Sequence, residues 1–429
     1  MKSILKDRIF KSFLNLFSGD MVISVLSIIS ITFITRTLGV EKYGLLVLIQ
    51  GICAMVDGLF NFQSWQGFIK FFPQRRDFKE ELKKLIKFSY FQDIVTGIIT
   101  LIIINLLGNL IGSFYEFSRE NIFLLRIFSI YICFNIQGTP TGILRVYERF
   151  DLLRNQRILT GFLNFILLFL GFYLKETLGY FLLAYMGTYI FQSFLLNYFA
   201  YCQLKKHGLE KFYNISMGFN GEFFKFNCLT NINSSLDIPV QYLDNLLIGK
   251  FLSLEQLGIY KICKTVTLVL DKIGTPIYQI VYPFFCEQLE KGKRNIVYKR
   301  LGIITGILFS IIILGIGFLN IFGFEILSWI FKVDIYKFKG EINFYVLAKG
   351  LAVTFIGIHP LFLALGHIKK ETVIILIANG IYLLVLWMTL EKYKLYGIIG
   401  AYMIQVLLII ILKSLIIFSS SKNKENKLK

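Results

Sequence analysis

Apolar runs of about 20 residues recur along the whole of this 429-residue chain. A run of that length crosses the hydrocarbon core of a bilayer as one helix. In lipid every backbone polar group must be paired inside the protein, which leaves helices and closed barrels as the spanning structures. Barrel strands alternate apolar and polar residues, and these runs do not. The chain is therefore expected to be an all-α polytopic membrane protein. Twelve spans are read, at 13–35, 44–64, 88–112, 122–146, 158–174, 178–202, 222–250, 257–287, 300–321, 341–365, 372–390 and 397–418. What lies between them is too short for a soluble catalytic domain. The first run is not read as a cleavable signal, because no small-residue cleavage site follows it and Asp20 lies within it.

The net charge of +19 raises nucleic acid as a partner, and its distribution removes it. With the N-terminus placed in the cytoplasm and the spans alternating, 29 of the 46 Lys/Arg fall on the cytoplasmic side and ten outside. Segments 65–87, 145–157, 203–221, 288–300 and 419–429 are all basic and all fall inside. This asymmetry is the one that orients membrane proteins, and anionic lipids are the expected contact of those segments. Both termini are expected in the cytoplasm. Cys53, Cys133, Cys202, Cys228, Cys263 and Cys286 form no CxxC pair, and His207, His359 and His367 have no metal-ligand spacing. No metal or cofactor is expected.

A repeat divides the chain. Arg36 to Gly44 reads RTLGVEKYG, and Lys250 to Gly258 reads KFLSLEQLG. At this offset of 214, Arg36 aligns with Lys250, Leu38 with Leu252, Glu41 with Glu255, Gly44 with Gly258 and Asp57 with Asp271. Pro140 and Pro360, 220 residues apart, interrupt spans 4 and 10. Proline there frees a carbonyl and bends the helix axis. The expected organisation is an N-terminal six-helix bundle at 1–204, a basic cytoplasmic linker at 205–221, a C-terminal six-helix bundle at 222–418 and a basic tail at 419–429. Six spans per half bring both halves in from the cytoplasm, so an axis along the membrane normal relates them.

Helical spacing gathers the intramembrane polar residues into stripes. Span 8 carries Lys261, Lys264, Thr265, Asp271, Lys272, Thr275 and Gln279 on one side, with Ile262, Val266, Val269, Leu270, Ile273 and Ile277 on an expected lipid face. Span 7 carries Thr230, Asn233, Ser234, Asp237, Gln241 and Asp244; span 2 carries Gln50, Asp57, Asn61 and Ser64; span 1 carries Asp20, Ser24 and Ser27. Arg126 and Lys349 add cations in spans 4 and 10. A charge at mid-bilayer costs about 2.5–3.5 kcal/mol even on the mildest scale. Four striped helices, two from each half, therefore imply a central polar cavity. Asp237, Asp244 and Asp271 are expected as counter-ions to the lysines. Asp20 and Asp57, in lysine-poor spans, are the expected carriers of a coupling proton or Na⁺.

The segment Thr35 to Gly44 after span 1 resembles the polysaccharide-repeat-unit flippases, including the O-antigen translocases of the multidrug/oligosaccharidyl-lipid/polysaccharide exporter superfamily. TPTGILRVYERFD at Thr139 to Asp151 and DNLLIGKFLSLEQLGIY at Asp244 to Tyr260 are similar to it as well. The resemblance covers the whole chain in length and span count. It implies a bacterial inner-membrane protein of two six-helix bundles. Such a protein moves undecaprenyl-diphosphate-linked oligosaccharide between leaflets by alternating access, beside polysaccharide polymerase or assembly proteins, and is not an enzyme. The expected substrate contacts are Lys261, Lys264 and Lys272 with Arg126, Lys349, Gln241 and Asn233. Lysine gives a diphosphate a mobile point charge that releases it again. Arg36, Gly44 and Glu255 are expected to set turns. A cation-coupled multidrug antiporter of the same superfamily is the near alternative. A membrane-embedded polymerase or acyltransferase is the distant one, since it requires a large loop or a His/Asp constellation that the sequence does not display.

Overall fold

A computed structural model of the chain describes the backbone of residues 2–62, 64–218, 220–235, 238–332 and 334–425. It describes the side chains of these residues except 2–25, 233–234, 239–241, 269, 271–280, 283, 368–369 and 420–425. The helices are α1 (Lys2–Phe60), α2 (Trp65–Arg75), α3 (Lys79–Tyr115), α4 (Arg119–Ser129), α5 (Tyr131–Phe134), α6 (Gly138–Val146), α7 (Phe150–Tyr173) and α8 (Leu178–Lys206). They continue as α9 (Gly221–Ser235), α10 (Ile238–Phe251), α11 (Leu254–Glu290), α12 (Arg294–Phe318), α13 (Phe324–Phe331), α14 (Lys339–Thr354), α15 (Ile358–Ala364) and α16 (Ile368–Glu425). Among the described residues there is no β-strand.

Among the described residues each expected span is helical along most of its length. Spans 1 and 2 are the two limbs of α1, which turns at Gly39 with φ 80° and ψ 167°. Glycine reaches that region without a Cβ penalty. Spans 11 and 12 are the two limbs of α16, which turns at Lys394 with φ 52° and ψ −129°. Among the described residues eight stretches are long and apolar enough to cross a membrane, and two of them, Leu26–Arg75 and Lys370–Ser419, each run through such a turn. The α9–α10 pair and α11 supply spans 7 and 8. Leu314, Trp329, Trp387 and Leu106 are each more than 70% exposed, a surface that lipid solvates and water does not.

Spans 4 and 10 are broken rather than bent. Span 4 runs as α4 and α5, unwinds over 135–137 and resumes as α6; span 10 runs as α14, unwinds over 355–357 and resumes as α15. Pro140 is the third residue of α6 and Pro360 the third of α15. Proline suits a first turn, where its missing N–H has no intrahelical partner to lose. The prolines therefore restart helices, and the break lies before them.

The described chain forms two compact units, Met1–Gly258 and Ile259–Lys429. The first has an aromatic-rich core of Phe68, Phe71, Phe72, Phe88, Ile143, Leu196 and Phe223. The second has a core of Val281, Phe285, Val297, Leu361, Phe362 and Ile417. Within the first unit the repeat closes on itself. A Cβ on Gly44 would lie 1.8 Å from the Leu254 carbonyl oxygen, and one on Gly258 would lie 2.5 Å from that of Val40. Val40 and Leu254 are themselves equivalent under the 214-residue offset, so the contact is reciprocal, as at a two-fold axis.

Candidate functional site

The break in span 4 organises the polar interior of the first unit. Unwinding at 135–137 exposes backbone groups that lipid cannot satisfy. Side chains of α8 take them up: Ser193 Oγ donates to the Ile136 carbonyl at 3.2 Å, and Asn197 Nδ2 donates to it at 2.9 Å. The Ile136 amide donates back to Ser193 Oγ at 3.1 Å. The side chains of the break point at Asp57. Asn135 Nδ2 donates to Asp57 Oδ2 at 2.8 Å, and Asn61 Nδ2, one turn along, donates to Oδ1 at 2.9 Å. Gln137 donates to Asn135, and Gln192 Nε2 donates to Gln137 Oε1 at 3.1 Å. Tyr131 and Tyr189 pack beside this amide chain with ring centroids 4.9 Å apart. The result is a half-buried run of amides and phenols with one carboxylate.

A second carboxylate, absent from the sequence expectations, holds the restart of the helix. Asp93 of α3 is 3% exposed. Its Oδ2 accepts from the Thr139 amide and the Thr139 hydroxyl, each at 2.7 Å. Its Oδ1 accepts from Ser64 Oγ at 2.6 Å and from the Ser64 amide at 3.4 Å. Ser89 Oγ lies 2.7 Å from Thr139 Oγ1. A carboxylate at the first turn of α6 meets the amides that the turn leaves open and the positive end of its dipole. Thr96 Oγ1 donates to Asn61 Oδ1 at 3.1 Å, which joins the Asp93 and Asp57 groups into one network. That network ties α1, α3, the break and α8 together.

In the second unit, two of the expected cations share one aromatic ladder. Lys264 Nζ sits 5.0 Å from the Tyr260 ring centroid. Tyr260 meets Tyr345 edge-on at 5.7 Å, and Tyr345 stacks on Tyr402 at 6.0 Å. Lys349 Nζ lies 5.9 Å from the Tyr402 centroid. Ring faces attract ammonium groups, so the ladder holds two cationic side chains along one row of tyrosines. Lys261 is half-buried on the same helix as Lys264. The expectation of a lipid face on span 8 is corrected at Ile262, which is 2% exposed; Thr265 on the polar stripe is 3% exposed. That part of α11 is packed on both sides, and periodicity cannot distinguish lipid from a packed neighbour.

Arg126 makes its contacts within the first unit. Its Nη2 donates to Asn109 Oδ1 at 3.0 Å and its guanidinium lies over Gly108, so it holds α4 on α3. Asp244 is buried and its Oδ1 accepts from the Asn245 amide at 2.7 Å. The side chains of Asp20, Asn233, Asp237, Gln241, Asp271 and Lys272 lie outside the described residues. Among the described residues, no group of three or more His, Cys, Asp or Glu could hold a metal ion. The second unit also carries a groove of ≈ 590 Å³ lined by Tyr298, Leu301, Thr305, Phe309, Phe355 and Ile358, among others.

The profile of a family described as "Polysaccharide biosynthesis protein" matches residues 33–320, about two thirds of the chain. The inner membrane protein YghQ of Escherichia coli (strain K12) is 22% identical over 312 residues, covering 70% of this chain and 85% of that protein. The teichuronic acid biosynthesis protein TuaB of Bacillus subtilis (strain 168) is 25% identical over 202 residues, covering 46% of this chain and 40% of that protein. Among solved structures, an inward-facing multidrug resistance MATE family transporter of the MOP superfamily superposes with a TM-score of 0.73. It shares 13% identity and covers 96% of this chain and 99% of its own. The lipid II flippase MurJ in an inward closed conformation gives 0.69 at 13% identity, covering 95% of this chain and 87% of its own. At these identities the likeness is one of fold.

Proposed function

We infer the function from one premise: the chain belongs to the polysaccharide biosynthesis protein family. It is a multi-pass helical membrane protein with the fold of MATE transporters and the MurJ flippase. We propose that it is a flippase for lipid-linked oligosaccharide in the bacterial inner membrane, supplying repeat units for a surface polysaccharide by alternating access. Two six-helix halves, 1–204 and 222–418, rock about the 205–221 linker in this reading, with both termini in the cytoplasm. The equivalent breaks in spans 4 and 10 support the pairing of the halves.

The observation that carries the reading is the lysine–tyrosine ladder of the second unit, Lys264–Tyr260–Tyr345–Tyr402–Lys349. A diphosphate needs cations that bind and release, and two ammonium groups resting on ring faces meet that need. Sugar hydroxyls need donors and acceptors on a surface that stays half-wet, and the Asn135, Gln137 and Gln192 run of the first unit offers them. The apolar groove between α12, α14 and α16 is suited to a prenyl tail that remains in lipid. Asp57 is proposed as the carboxylate of the first unit that carries a coupling proton or Na⁺. An antiporter for cationic drugs, which the MATE likeness brings forward, fits these lysines poorly.

The reading is tested by native mass spectrometry of the purified full chain. Undecaprenyl-diphosphate-linked N-acetylglucosamine should bind, and tetraphenylphosphonium should not. The double variant Lys264→Gln, Lys349→Gln should lose the lipid-linked sugar by 10-fold or more. Equal retention by the variant, or preference for the organic cation, would overturn the assignment.

A further inference from the structure

The first unit pins its restarted helix with hydroxyl and amide donors. The second uses groups that exchange protons. His359 is the second residue of α15 and stands immediately before Pro360, as Thr139 stands before Pro140 in α6. Glu371 opens the first limb of α16, and Lys413 lies 42 residues later on its second limb. The three side chains meet. Lys413 Nζ is 2.8 Å from Glu371 Oε1 and 3.0 Å from His359 Nδ1, and His359 Nδ1 is 3.1 Å from Glu371 Oε1. The ammonium side chain is 5% exposed, the carboxylate 11% and the imidazole 40%. Glu371 Oε2 is buried and has no hydrogen-bond partner among the described residues.

We infer that His359, Glu371 and Lys413 form a proton-exchange site that ties the broken span 10 to span 12. In the observed arrangement the ammonium donates to both neighbours, so His359 Nδ1 is an acceptor and its proton is on Nε2. With His359 neutral the three groups sum to zero charge, the arrangement a buried cluster favours. A proton delivered by hydronium, through the half-exposed imidazole, leaves its O–H bond for the Nδ1 lone pair and releases water, and the hydrogen bond from Lys413 to Nδ1 is given up. The 3.1 Å contact to Glu371 Oε1 then becomes an N⁺–H···O⁻ hydrogen bond. The ammonium loses one of its two acceptors and faces a second cation, while Oε2 stands open to receive it. Protonation therefore exchanges the partner of Glu371 and alters how α15 is held to α16. In α6 the residue before the proline is Thr139, whose hydroxyl has no charged form near neutral pH.

Lys413 and Glu371 are the charged groups that act on His359. Cys286, Glu290 and Arg294 of α11 and α12 line a pocket of ≈ 400 Å³ together with His367. Tyr298 of α12 lines the apolar groove that Ile358 shares. Lys370, beside Glu371 in sequence, is exposed. Lys413 is further held over the Phe362 ring of α15 at 5.7 Å.

The site itself stands on geometry; its coupling to transport rests on the flippase reading. Both are measured on the full chain in lipid nanodiscs or vesicles. The chain has three histidines, so ¹⁵N-histidine labelling with single His→Gln variants assigns each imidazole. His359 should show an unprotonated Nδ1 at alkaline pH and gain one proton between about pH 5 and 8. Its midpoint should move in Lys413→Gln, while those of His207 and His367 stay. Should that variant fail to fold, the isosteric Glu371→Gln reads the same linkage. A single protonation state for His359 throughout the range, or an unchanged midpoint in the variants, overturns the site. In vesicles, a fluorescent undecaprenyl-diphosphate-linked sugar should flip faster under an imposed pH gradient with the wild-type chain. His359→Gln should keep gradient-free equilibration and lose that acceleration; retained acceleration overturns the coupling. No flipping by the wild-type chain would sink the flippase reading, and the imidazole titration would still decide the site.

Discussion

Asp93 accepts from four donors, the amides and hydroxyls of Ser64 before α2 and Thr139 in α6, and none of the four has water as an alternative. Asp93→Ala leaves the two hydroxyls with each other and Ser89 but strands the two amides, at about 1–3 kcal/mol for each group left unsatisfied. The expected outcome is a large fall in melting temperature in detergent and low membrane abundance. Asp57→Asn keeps the shape of a half-buried side chain and is expected to leave abundance unchanged. Export by that variant should lose the wild-type response to collapse of the ion gradient. An unaltered response would reduce Asp57 to an acceptor for Asn61 and Asn135. Sequence reading found Asp57 because Asn61 and Ser64 share its helical face. It missed Asp93 because the partners Ser64 and Thr139 lie 29 and 46 residues away, where no periodicity connects them. Glu371 and Lys413 escaped for the same reason, and the tyrosines between Lys264 and Lys349 read as membrane bulk until their rings were placed in contact.

Hydropathy alone located the helices, because a bilayer imposes one length on every span. It did not distinguish a bend from a break. Pro140 and Pro360 marked the right places, but the unwound residues precede them, and what holds the break open is the set of side chains on neighbouring helices. The glycines of the repeat act at this scale too. Gly39 requires a positive φ and has no atom within 4 Å of an added Cβ, whereas Gly44 and Gly258 have backbone oxygens at 1.8 and 2.5 Å. Gly39→Ala is expected to cost about 1–3 kcal/mol, because φ 80° with ψ 167° is a region essentially restricted to glycine. Gly44→Ala and Gly258→Ala are expected to be more damaging, since neither backbone oxygen can rotate aside. Melting temperatures of the three variants in detergent check the order; a milder effect at Gly44 than at Gly39 would contradict the reciprocal contact.

For the whole molecule, the proposed direction rests on charge asymmetry: 29 basic residues against ten are what cytoplasmic termini and twelve spans would give. A phosphatase that is active only outside the cytoplasm, fused after Lys429, should be silent, and strong activity would require an odd number of crossings. The central claim is that this molecule carries a lipid-linked sugar from one leaflet to the other. Its most direct test reconstitutes the purified chain in vesicles with a fluorescent undecaprenyl-diphosphate-linked N-acetylglucosamine and adds an impermeant quencher. The account predicts that nearly all the label becomes quenchable with the wild-type chain. It predicts that quenching stops at about half, the outer-leaflet share, with Lys264→Gln, Lys349→Gln present at equal amount. A wild-type chain that leaves half the label protected, or a double variant that exposes all of it, would contradict the account.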